Sequence, residues 1–184
     1  MRRLKALYPF NTIRPRCVAA VVDGLIFWPL SFVATALQGA GPRAWATALS
    51  PALYYMTFWL YSVLMHWRYG GTLGKLFCDI RVIDHYSGSR LTLWQAFVRD
   101  SVHLAITLLG LTFYALAVLW DLPAEGKWPP RPDPPLYVAF KWIMGSIVLC
   151  WLLAEVIVVL FNKQRRAVHD LIAKTVVIRA AGPR

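Results

Sequence analysis

The sequence predicts an all-α membrane protein: a four-transmembrane-helix bundle with a small cytoplasmic cap containing short β-strands. Three observations carry that expectation. Of 184 residues, 58% are hydrophobic and only 16% are charged, with a mean hydropathy of +0.50, whereas soluble domains carry about 25% charge. Four apolar stretches, 17–37, 49–66, 102–120 and 137–161, have about the length that crosses a hydrocarbon core. The basic residues crowd into alternate connections, as the positive-inside rule requires of a multi-pass chain. This composition excludes disorder and a coiled coil and argues against a soluble enzyme.

The N-terminal arm, 1–16, holds Arg2, Arg3, Lys5, Arg14 and Arg16. A cleaved signal peptide is the weaker reading, because the apolar run that follows is too long for a signal core and contains Asp23. The first two spans are joined by a short Gly/Pro connection, 38–50, which favours an antiparallel hairpin. The loop 67–101 carries five more basic residues, and the tail 162–184 carries six. The opposite side receives only Arg43, Lys127 and Arg131, with Lys141 able to snorkel there. Both termini are therefore expected in the cytoplasm, which requires an even number of spans. The external loop, 121–136, contains six of the twelve prolines and reads as a semi-rigid polyproline spacer.

Within 67–101, Gly70-Gly71-Thr72-Leu73-Gly74-Lys75 superficially suggests a phosphate loop but lacks the GxxxxGK[ST] spacing and a preceding strand. Ile80-Arg81-Val82-Ile83-Asp84 alternates like a strand, Tyr86 to Ser89 reads as a turn, and Leu91-Thr92-Leu93 as a returning strand of a hairpin. Residues 93–100 look like an amphipathic lead-in to the third span, with Gln95 and Arg99 at i,i+4. The tail reads as a helix over 165–174, with Arg166 and Asp170 paired at i,i+4, followed by a strand-like Thr175 to Arg179 that could pair with Ile80 to Asp84.

Four blocks together resemble the RDD family of small integral membrane proteins, most of them bacterial. They are Arg16-Cys17-Val18-Ala19-Ala20-Val21-Val22-Asp23; Gly71 to Lys75 with Ile80 to Asp84; Leu91 to Arg99; and Asn162 to Asp170 with Thr175-Val176-Val177. The signature positions are Arg16, Asp23, Gly74, Lys75, Arg81, Gln95, Arg99, Arg165, Arg166, His169 and Asp170. The family's naming arginine and aspartates fall at Arg16, Asp23 and Asp170. The resemblance implies a bacterial inner-membrane location and a role in transporting mostly unknown ligands, some relatives being described as sodium/proton antiporters. The long proline-rich external loop departs from the pattern.

Arg16 and Asp23 are seven residues apart, so at about 100° per residue they share a helix face. Ala20 and Gly24 lie near that face and would let another helix approach closely. Asp23 sits six residues inside the start of its span and Glu155 six residues inside the end of the fourth. Both therefore reach a similar cytoplasmic depth, where they could form a proton- or cation-binding pair near Arg16 and Arg166. Fixed hydrogen bonds or an ion pair that lock the helices are the alternative. His103 could hand a proton to Asp23, although it and His66 more often mark interfacial hydrogen bonding. Cys17, Cys78 and Cys150 are odd in number and scattered, and no metal-ligand spacing, cofactor motif or enzymatic nucleophile is present. The Trp and Tyr residues suit an aromatic belt. The expected partners are a bilayer with anionic headgroups and further copies or subunits in a membrane complex, with no nucleic acid. The sequence thus leaves two functional classes: an exchanger that uses Asp23 and Glu155, and a non-transporting scaffold or accessory subunit.

Overall fold

Four long helices dominate the computed structural model, which describes residues 10–39, 44–121 and 135–180. In chain order they are α1 (Ile13–Gly39), α2 (Ala44–Tyr69), α4 (Leu93–Asp121) and α5 (Pro135–Phe161), with short α3 (Leu73–Phe77) and α6 (Val168–Ile172) between and after them. Two strands, β1 (Ile80–Asp84) and β2 (Thr175–Arg179), complete the chain. The shortest long helix has 26 residues, about 39 Å at the α-helical rise. Three segments are both long and apolar enough to cross a membrane: Ile13–Val33, Leu93–Phe113 and Val138–Phe161. The helix α2 has the length as well, and over the whole element it is as apolar as α1; the three segments are those found among the described residues. The expected arm 1–16 is described only from Phe10, and the core of the proline-rich loop lies outside the described residues.

The buried core lies at one end of the bundle. Ala19, Val63, Ile80, Val82, Leu91, Ala96 and Val177 form one cluster, with Trp59 and Cys78 packed on it. Away from that end the long helices meet through rings: Phe27 with Phe58 and Tyr61 joins α1 to α2, and stacked Phe113 and Phe140 join α4 to α5. Much of α5 is bare, with Trp142, Ile143, Leu152, Val156 and Phe161 exposed. So much apolar surface suits lipid and is unusual on a soluble monomer.

The strand Ile80–Asp84 pairs antiparallel with Thr175–Arg179, Val82 opposite Val177. A two-stranded ribbon is marginal alone; this one is held because Ile80, Val82 and Val177 enter the core. The pairing brings a loop between α2 and α4 against the segment after α5. Entry to each strand is made by a left-handed residue, Asp79 and Lys174. Gly70 also has positive φ, turning the chain out of α2 so that its carbonyl accepts the Val82 N–H at 2.6 Å. A Cβ there would be strained as well as crowded by Val82's carbonyl oxygen.

Three local expectations are corrected. Leu91-Thr92-Leu93 is not a returning strand, because Thr92 opens α4: its hydroxyl accepts the Gln95 N–H while Gln95's side chain accepts the Thr92 N–H. This reciprocal capping box is worth more to the chain there than a strand edge with no partner. The tail helix spans only Val168–Ile172, since Arg165 adopts a positive φ and Asn162's side chain ties the preceding turn. Finally, Ala20 and Gly24 face outward and the buried stripe of α1 is Ala19, Asp23 and Phe27, one helix position away from the anticipated small-residue pair.

The core at the sheet end should dominate stability. Ile80→Ala is expected to cost about 2–5 kcal/mol, read as a lower melting temperature in detergent. Phe161→Ala, at an 84% exposed position, should leave that temperature nearly unchanged.

Candidate functional site

The polar chemistry collects at the same end as the sheet, in three connected groups. The first surrounds Asp23 on α1. Its carboxylate accepts hydrogen bonds from the Thr72 hydroxyl at 2.6 Å, the Gly74 N–H at 2.9 Å and the Tyr61 hydroxyl at 3.1 Å. Tyr61's oxygen in turn accepts the Leu73 N–H. Asp23 thereby caps the N-terminus of α3 from another helix, satisfying amides that Thr72's own side chain does not cap. The close approach explains Gly74: a Cβ there would overlap the Ala19 carbonyl oxygen and crowd the Asp23 carboxyl. The glycines of 70–75 thus serve a turn and a helix contact, consistent with rejecting a phosphate loop.

The second group is centred on Asp170, 0% exposed. Arg16 from α1 and Arg99 from α4 each contact it at 2.8 Å, on different carboxylate oxygens. Its Oδ2 also accepts the Ala167 N–H, and Arg16 donates to the Arg165 carbonyl. Burial alone would raise the Asp170 pKa, but the Arg99 and Arg16 guanidiniums and the Ala167 N–H outweigh it and hold the carboxyl well below its usual range. From Arg99 the chain continues to His169 Nε2 at 2.8 Å, and His169 Nδ1 lies 2.8 Å from Glu155 Oε1. Because Arg99 can only donate, Nε2 is the accepting nitrogen and Nδ1–H donates to Glu155. Glu155 also accepts the Val168 and His169 N–H groups at 3.2 Å, capping α6 as Asp23 caps α3.

The third group links α2, α3 and α4. His66 Nδ1 lies 2.7 Å from the Ser62 carbonyl, which can only accept, so this nitrogen carries the hydrogen. Its Nε2 then accepts from Lys75 Nζ at 2.7 Å. Ser62 donates to Asp100 at 2.7 Å. Burial, with Arg99 nearby, pushes the Lys75 ammonium down to about 7 against the pull of Asp100 and Asp170.

The anticipated site residues are therefore all at one end but differently partnered. Asp23 and Glu155 have separate donor sets, and no hydrogen bond or ion pair joins them among the described residues. Arg16 pairs with Asp170 and not with Asp23 on its own helix. Arg166 binds the Thr175 and Asp170 carbonyls in place of the Asp170 carboxylate. Gln95 turns to Asp84, away from the expected Arg99 pairing. His103 stands beside Trp151 and His169, with ring centroids 6.1 and 6.5 Å away, and not beside Asp23. Arg81 lies on the exposed side of β1, and Arg165 donates to the Leu160 carbonyl at the end of α5. His66 and Lys75 each stand out in the sequence, but their joining with Asp100 into one group is not legible there, because the three come from separate elements.

Above Glu155 and His103, α4 and α5 part around an apolar cleft of 720 Å³ lined by Val102, Ile106, Trp151 and Ala154 among others. Trp151's indole N–H is buried and has no hydrogen-bond partner among the described residues.

Among known proteins, the profile of the RDD family matches residues 10–174. No curated protein and no solved structure matches the chain.

Two outcomes follow from these contacts. Asp170→Asn leaves two buried guanidiniums facing an uncharged amide and should cost about 3–5 kcal/mol, seen as loss of monodisperse protein on size exclusion and a lower melting temperature. A lysine whose pKa falls on folding binds fewer protons folded than unfolded above about pH 7, so stability climbs with pH from there towards the ordinary lysine range. Melting temperatures in detergent should accordingly rise between about pH 7 and about pH 10 in the native chain, with a shallower rise in Lys75→Met.

Proposed function

This chain belongs to the RDD family of membrane proteins, and from that premise we propose that it is a proton-coupled transporter of a small cation or solute. In this reading it is a four-span bundle with both termini in the cytoplasm of a bacterial inner membrane, working as an oligomer and not as an enzyme. The orientation is supported by contacts that tie every cap segment to one end. Asp23 holds Thr72 and Gly74 across two long helices, and β1 pairs with β2 across the other two. That arrangement suits two pairs of helices that each go out and return, and the basic excess of that end supports placing it on the cytoplasmic side.

The observation that carries the transport reading is the Glu155–His169 pair, with His103 beside it, next in sequence to Ala154 and Val102, which line the α4–α5 cleft. A proton arriving at His169 must take the Nε2 lone pair, which Arg99 occupies at 2.8 Å. Proton binding and the Arg99 contact therefore compete, which would couple protonation to the packing of α4 against the tail. Asp23 is a positioning residue in this scheme, since its oxygens already hold α3. Its saturation is also the observation that favours the second reading, a scaffold or accessory subunit.

The test is cation-driven dissipation of a pH gradient in proteoliposomes, with Na⁺, Li⁺ and K⁺ each supplied. Native protein should dissipate the gradient with at least one of them, and His169→Gln and Glu155→Gln should fall to the protein-free rate while remaining folded. Asp23→Asn should keep the pH profile of exchange and lose about 1–3 kcal/mol of stability from its weakened charged hydrogen bonds. Folded native protein that gives no flux with any cation favours the scaffold.

A further inference from the structure

Most arginines at the polar end are used internally. Arg16, Arg99, Arg165 and Arg166 each reach a carboxylate or a backbone carbonyl. Arg68, Arg81 and Arg90 are different. They come from the end of α2, the exposed side of β1 and the turn before α4, and together with Tyr69 and Leu76 they line one cavity of 260 Å³. Among the described residues, none of these three guanidiniums has a hydrogen-bond or ion-pair partner. Three converging cations with no acid between them repel one another, and the arrangement is relieved by an anion in the cavity. Guanidinium forks favour a tetrahedral oxyanion whose oxygens they can share in pairs.

The surroundings identify the carrier of that anion. Beside the cavity, α3 buries Gly74 but turns Leu73 and Phe77 outward, 46% and 76% exposed, and Trp67 is exposed on the preceding turn of α2. Apolar and aromatic side chains outward at the end of membrane-length helices belong at the level where headgroups meet acyl chains. A soluble phosphate would need the arginines alone; a phospholipid would use both the arginines and this apolar rim. We propose that Arg68, Arg81 and Arg90 form a binding site for the phosphate of an anionic phospholipid headgroup, with Leu73, Phe77 and Trp67 flanking its acyl chains.

The experiment compares the native chain with the triple variant Arg68→Gln, Arg81→Gln, Arg90→Gln in neutral-detergent micelles. Each is titrated with phosphatidylglycerol, with phosphatidylcholine and with inorganic phosphate, and read by native mass spectrometry and thermal shift. Native protein should retain phosphatidylglycerol in preference to phosphatidylcholine, and the triple variant should bind it about 100-fold more weakly, as three juxtamembrane guanidinium–phosphate attractions combine. The variant's melting temperature in phosphatidylcholine should match that of the native chain, since the three side chains are exposed. Should the triple variant not fold, Arg81→Gln alone on the open side of β1 carries the same comparison with a smaller loss. Equal binding of phosphatidylglycerol by native and variant protein overturns the site. An inorganic phosphate shift as large as that of phosphatidylglycerol, and lost in the variant, overturns the lipid in favour of a free phosphate.

Discussion

Asp170 is the joint on which the polar end depends. It is contributed by the last short helix, is closed off from solvent, and receives one guanidinium from the first long helix and one from the third. A buried carboxylate is tolerable only when its charge is matched at close range, so the tail cannot dock unless Arg16 and Arg99 are both present. The reverse also holds: Arg99, 1% exposed, could not be buried at the mouth of α4 without the tail. Strand β2 then follows directly from this anchored helix into the core. One carboxylate with two ionic contacts thus ties together three segments that lie far apart in the chain.

The two other acids use a common device. Asp23 and Glu155 each sit near the polar end of a long helix and each accept the free amides of a short one, α3 and α6 respectively. A carboxylate near a helix N-terminus satisfies orphan donors and also the local dipole. The consequence is that both acids already have several hydrogen-bond donors from the cap. Glu155 differs from Asp23 in one respect that matters: one of its donors is an imidazole, whose second ring nitrogen still has a lone pair.

Hydropathy made the four long helices legible in the sequence, because it is a local property of the chain. The period-two pattern of Ile80 to Asp84 and Thr175 to Arg179 was legible for the same reason, and their β-branched content suggested the pairing that forms. The partners of the charges were not. Arg16 and Asp23 do share a buried face, as their spacing required, yet each finds its partner on another element. Helix geometry says which side chains point the same way; it does not say which of several acids a fork of guanidinium will meet across 154 positions. Leu91 to Leu93 misled for a different reason. The Thr-x-x-Gln box at 92–95 is a helix-start signal that competes with strand alternation, and the reciprocal hydrogen bonds decide it.

His169 is where the static network acquires a choice. Its Nδ1–H is committed to Glu155, so its single remaining lone pair is offered to Arg99. An imidazolium has no lone pair, and a protonated His169 would face Arg99 as a like charge at hydrogen-bond distance. Arg99 would keep Asp170, the stronger of its two contacts by charge, and the strain would fall on the contact between α4 and α6. That contact lies beside α4 and α5, which meet through His103 on Trp151 and through the Phe113–Phe140 stack, with an apolar cleft also lined by both helices. In the proposed transport reading, a proton at that nitrogen would displace the Arg99 contact beside α4 and α5, while Asp170 and Asp23 keep the rest of the cap in place.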